Sequence, residues 1–165
     1  MPHNNEIKKF LGIDIRDVWN IQNKEDFLIA VNSWLCRKSD NGSNLPILST
    51  PERTVYLTLQ LEAEVNNGGF IQYFYNAYGD ISADLVASFK AIGAEKTAAI
   101  CRKAICALNE KIPVDKIQRE EFLDHVMTDQ ADQILSACDR EFYRQPDDLE
   151  ELNYHFIIKH KSWFC

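Results

Sequence analysis

The run that decides the fold is Glu62-Ala63-Glu64-Val65-Asn66-Asn67-Gly68-Gly69-Phe70-Ile71-Gln72-Tyr73-Phe74-Tyr75-Asn76-Ala77-Tyr78-Gly79. Asn and Gly accept positive φ at low cost, so Asn66-Asn67-Gly68-Gly69 reads as a helix C-cap followed by a tight reversal. Before it, Val55, Leu59, Glu62 and Val65 step at helical spacing. After it, Phe70, Tyr73, Phe74 and Ala77 fall at i, i+3, i+4 and i+7, one wide apolar face. Gly79 ends this second helix. Five aromatic rings lie within the nine residues 70–78, a density that belongs in a core shared by several elements. The run predicts a helix-turn-helix packing centre, with a ligand pocket lined by the tyrosines and Asn76 as the other use of the same residues.

Working outward, the chain reads as helix throughout. Residues 5–11 suggest a short helix ending at Gly12, and Ile13 to Ile21 give a mixed pattern. Asn23 has the character of an N-cap for a helix bearing Phe27, Leu28, Val31, Trp34 and Leu35. Arg37 and Lys38 close it, and Ser39-Asp40-Asn41-Gly42-Ser43-Asn44 is a loop. Thr50 as N-cap and Pro51 at the first helical position open the helix that leads into the signature run. Beyond Gly79, Asp80 or Ser82 caps a helix ended by Gly93. Later helices carry Ala98, Cys101 and Ile105, then Ile117, Phe122 and Val126, then Ile134, Leu135 and Phe142. Asp147 and Asp148 cap the last one. No alternating strand is visible. The expected class is all-α, a bundle of about seven to nine helices. Residues 1–49 are expected to form a helical segment packed on the main domain of residues 50–165, the two making one structural domain.

The run Glu64 to Asn76, closed by Gly79, resembles the signature of a bacterial family of all-helical domains that includes a DNA-mimic protein of about this chain's mass, 19.1 kDa. Asn66, Asn67, Gly68, Gly69, Phe70, Tyr73, Phe74, Asn76 and Gly79 carry the likeness, which extends over residues 50 to 165. It implies an all-helical domain and, through that member, an acidic surface that binds a DNA-binding protein.

Charge is consistent with such a role. The net charge is −7, yet residues 110–151 alone hold 13 acidic and 5 basic residues, a net of −8. Such a field repels nucleic acid and attracts basic partners. The candidate partner-binding carboxylates are Glu120, Glu121, Asp124, Asp129, Asp132, Asp139, Glu141, Asp147, Asp148, Glu150 and Glu151. Carboxylates one helical turn apart stand about 5–6 Å from each other, comparable with phosphates along a DNA strand. The expected partner is a helix-turn-helix transcription factor or another basic DNA-binding protein, met by a homodimer that extends the acidic face. A module that binds another protein or a small ligand through the aromatic cluster Phe70–Tyr78 is the alternative.

Other classes fit poorly. Gly-x-Ser-x-Gly, a phosphate loop, a dinucleotide fingerprint and His-Glu-x-x-His are absent from the sequence. Glu121/His125 and Glu151/His155 sit four apart, which suits ion pairs on a helix face better than metal ligation. We therefore expect no enzyme, no cofactor and no metal. Direct DNA binding is not expected either, because the second helix of the signature run is aromatic rather than basic. The polar N-terminus and the lack of a long apolar run predict a cytoplasmic protein without a membrane span. Five cysteines without Cys-x-x-Cys are expected to be free thiols, with Cys101 and Cys138 buried and Cys165 exposed.

Overall fold

Each helix start shows why the sequence folds as it does. The computed structural model describes residues 9–77, 81–108 and 112–165, with the backbone alone for 81–83. Among these lie eight α-helices: α1 (Ile15–Val18), α2 (Lys24–Lys38), α3 (Thr50–Asn76), α4 (Ile81–Ile92), α5 (Glu95–Ala107), α6 (Lys116–Val126), α7 (Asp129–Phe142) and α8 (Leu149–Lys159). No strand occurs among the described residues, and the class is all-α. The terminator expected at Gly79, the Tyr78 ring, the cap expected at Asp80 or Ser82, and residues 5–8 of the first expected helix lie outside the described residues and side chains.

The Asn23 side chain accepts from the Asp26 N–H, as its position before an apolar-periodic run requires. At α3 the cap is Ser49 rather than Thr50. Ser49 Oγ accepts from the Glu52 N–H while Glu52 Oε2 accepts from the Ser49 N–H, a reciprocal capping box that only the residue three before Glu52 can close. Glu52 is buried there and also pairs with Lys38 at 2.7 Å, so one carboxylate joins the end of α2 to the start of α3.

The central element is α3, and it is broken. Asn66 and Asn67 remain helical, so the C-cap expected of them is not made. The break falls on the next pair, Gly68 (φ −160°, ψ 21°) and Gly69 (φ 78°, ψ −180°), and helix resumes at Phe70. Glycine at 69 supplies the left-handed φ that a β-carbon would oppose. The chain turns back sharply here. Glu64 Oε2 accepts from Asn76 Nδ2 at 2.9 Å, although twelve residues of straight helix would hold the two backbones about 18 Å apart. The helix-turn-helix expectation therefore stands, with a two-glycine elbow in place of a capped end.

The core forms around this elbow. Leu61, Val65, Phe70, Phe74, Leu85, Phe89, Cys101, Ala104, Leu108 and Leu123 are fully buried. Phe70 meets Phe142 of α7 edge-on with ring centroids 6.0 Å apart. At roughly 1.5–3 kcal/mol for each large apolar side chain, this cluster supplies the main driving force for folding. α2 lies against α3 and α8 through Gln60–Asn32 (2.8 Å), the Phe27–Tyr154 ring contact and the Lys24–Glu151 ion pair. No helix among the described residues is long and apolar enough to cross a membrane.

Candidate functional site

Carboxylates that look alike in sequence divide in space into two kinds. The first kind is used inside the fold. Asp139 of α7 accepts the Phe70 N–H at 2.8 Å, so it caps the second arm of the elbow from 69 residues away. Four residues on, the Tyr143 hydroxyl donates to the Val65 carbonyl at 2.8 Å, in the last turns of the first arm. The end of α7 thus grips both sides of the break. Burial pushes the Asp139 carboxyl up from its usual range, opposed by the Phe70 N–H and by Arg140.

Asp147 is a second remote cap. The residue before α5 is Ala94, which has no side chain to offer, and Asp147 Oδ2 accepts from both the N–H (2.7 Å) and the hydroxyl (2.9 Å) of Thr97. It does not cap α8 as expected. Asp148 does that alone, accepting from the Glu151 N–H. Glu141 pairs with Lys103 at 2.7 Å. Glu151 pairs with Lys24 and with His155, which hold its carboxyl below the usual range, Lys24 most strongly. Asp124 accepts from the Tyr75 hydroxyl at 2.7 Å and ties α6 to the elbow.

The second kind faces water. Glu120, Glu121, Asp129, Asp132 and Glu150 are exposed and form no ion pair among the described residues. At the other expected pair, His125 Nδ1 contacts the backbone carbonyl of Glu121 instead of its carboxylate. The cation most intimate with this segment, Arg119, is fully buried and turned inward. Its guanidinium donates to the carbonyls of Pro113 (3.1 Å), Val114 (3.2 Å) and Ala77. The outer face of α6 is therefore more negative than a count of its charges suggests.

The aromatic signature residues lie inside. Phe70, Tyr73 and Phe74 are at most 1% exposed, so they form no docking surface for another protein. Cys101 and Cys138 are buried, and burial pushes both thiols up, Cys138 to about 11; Cys165 is exposed. Raised thiol pKa values make poor nucleophiles.

With this geometry in view, comparison with protein families gives one result: the family model described as DMP19-like protein matches residues 47–160. The chain belongs to the DMP19-like family. The matched segment holds the elbow and all eleven carboxylates considered above and omits α1 and α2. No curated protein and no solved structure matches the chain.

Sequence reasoning missed Arg119, and it missed the capping work of Asp139 and Asp147. The only signal for Asp147 was a helix start at Ala94 that lacked a polar side chain.

Proposed function

We propose that this chain is an acidic DNA mimic that occupies the DNA-binding surface of a helix-turn-helix transcription factor and displaces operator DNA. The observation that carries the reading is the set Glu120, Glu121, Asp129, Asp132 and Glu150, exposed and unpaired among the described residues in a segment of net charge −8. Membership of the DMP19-like family supports it. The mechanism is competition: carboxylates take the Lys and Arg side chains that otherwise neutralise phosphates. It requires no catalytic step and no cofactor, and it places the protein in the cytoplasm beside its target.

A compact domain of 165 residues has a radius of gyration of about 15 Å, so one face covers at most roughly the 34–36 Å between the half-sites that repressor dimers read. A two-fold homodimer would extend the acidic face and match the symmetry of the partner.

The test is capture of basic proteins from host lysate on the immobilised chain, followed by elution with graded salt and competition by the captured factor's operator duplex. Charge reversal at Glu120, Asp129, Asp132 and Glu150 to Lys leaves every capping and ion-paired carboxylate in place. It should abolish binding while the circular dichroism of the helices stays unchanged. Unchanged affinity of the reversed protein at low salt would overturn the proposal.

A further inference from the structure

The outer face of α6 carries a residue that a solvated acidic helix does not need. Arg119 and Leu123 are buried and Phe122 and Val126 half-buried, and these four mark the side of α6 that meets the core. At about 100° per residue, Ile117 falls opposite that side, and Glu120, Glu121 and Asp124, all exposed, fall within about 60° of it. Lys116 and Gln118 stand about 100° to either side. Ile117 is 69% exposed; among the large hydrophobic side chains of the described residues only Leu11 is more so. Val114, just before the Asp115 cap, is 56% exposed, and its carbonyl accepts from the buried Arg119 at 3.2 Å, which holds it at the start of the same helix.

The isoleucine thus sits among the carboxylates rather than at their edge. Single exposed apolar residues are ordinary on a protein surface. At this position, however, isoleucine forms helix less readily than Lys or Glu and works against solubility. In protein interfaces, apolar side chains at the centre are desolvated and lengthen residence, while the charges around them steer encounter and choose the partner.

Those charges say what covers Ile117. A two-fold contact between copies through this residue would set Glu120, Glu121 and Asp124 against their own counterparts, which repel. A basic surface is drawn to the same place. A DNA-reading helix offers both parts of the match: Lys and Arg that otherwise meet phosphates, and an apolar side chain that otherwise meets a thymine methyl group in the major groove. Resting on the DNA-mimic reading of this surface, we propose that Ile117, with Val114 three residues before it, is the apolar anchor of the acidic face. It receives an apolar side chain set among Lys and Arg on the partner's DNA-reading helix, in the place of a thymine methyl.

The experiment uses the whole protein and two synthetic helical peptides of about five turns. Each has one face of Lys and Arg with a single different residue at its centre, Leu in one peptide and Gln in the other. Binding is followed by fluorescence anisotropy across a salt series. The Leu peptide should bind about tenfold more tightly than the Gln peptide, the scale of one apolar side chain covered by another. Ile117→Gln keeps a long side chain of good helix preference and changes no charge. It should bring the Leu peptide down to the affinity of the Gln peptide, with the Gln peptide and the salt dependence of both unaltered. The inference fails, with the DNA-mimic reading left standing, if both peptides bind the unmodified protein equally and in a salt-dependent way, or if the preference for Leu survives Ile117→Gln. It fails in the same manner if Ile117→Gln turns a dimer into a monomer on light scattering, which makes the patch a contact between copies. Binding of neither peptide at low salt overturns both.

Discussion

Asp139 and Tyr143, one helical turn apart at the end of α7 and its C-cap, hold opposite sides of the same break in α3, the carboxylate on the Phe70 N–H and the phenol on the Val65 carbonyl, each at 2.8 Å. An elbow made of two glycines has no stiffness of its own. Its angle is set by this clamp, and the angle in turn brings Asn76 back to Glu64.

The clamp makes Gly69 irreplaceable. A β-carbon there would sit 2.5 Å from Asp139 Oδ2, on a backbone already at φ 78°. Gly69→Ala should cost about 1–2 kcal/mol from φ alone and more from the contact with Asp139. Asp139→Ala should cost about 1–2 kcal/mol as a lost cap, and Tyr143→Phe about 1 kcal/mol. Urea unfolding of the two singles and the double should show non-additivity, because both act on one break. Strict additivity would mean that the clamp is two unrelated contacts.

Phe74 is fully buried and touches Phe70 and Tyr73, with ring centroids 6.2 and 5.9 Å away. Phe74→Ala should destabilise by about 3–5 kcal/mol. A denaturation midpoint equal to that of the unmodified protein would remove the elbow from the centre of the core.

Glu62 lies on the first arm, and burial, with Glu150 and Asp148 adding, pushes its carboxyl from 4.5 up to about 7. A raised carboxyl pKa means the folded state holds a proton that the unfolded state has released. Stability should therefore decline as pH rises from about 4.5 through 7. Glu62→Gln should be more stable than the unmodified protein at pH 7 and should flatten that decline, as followed by thermal melts across the range. An unchanged slope in the variant would assign it elsewhere.

The homodimer predicted above is checked by light scattering on the eluting protein, with a mass near twice 19.1 kDa expected. A monomer at micromolar concentration would overturn the two-fold arrangement.

Local structure was legible in the sequence wherever its cause was local. Asn23 and Asp148 cap their own helices, and the apolar spacing in α2, α5 and α7 marks buried faces. The cap of α3 slipped by one residue because Ser49 and Thr50 are equally good candidates until Glu52 is seen to answer Ser49. Asn66 and Asn67 carried a C-cap composition, but the elbow was made by the glycines after them, where no side chain resists the turn. The acidic residues were the least readable. Whether Asp139 or Asp132 faces water depends on contacts 69 positions away, which periodicity within one helix does not encode.

One buried cation gives these parts a shared fate. The Arg119 guanidinium bonds at once to the exit of α3 at Ala77 and to the approach to α6 at Pro113 and Val114. If α6 frayed by itself, three carbonyls would be abandoned and a desolvated charge left behind. Local opening of α6 is thereby made costly. Amide protons in α6 and in the second arm of α3 should therefore exchange with deuterium at a common rate, as one cooperative unit, so that an exposed acidic helix acquires the kinetic protection of the core it is tethered to.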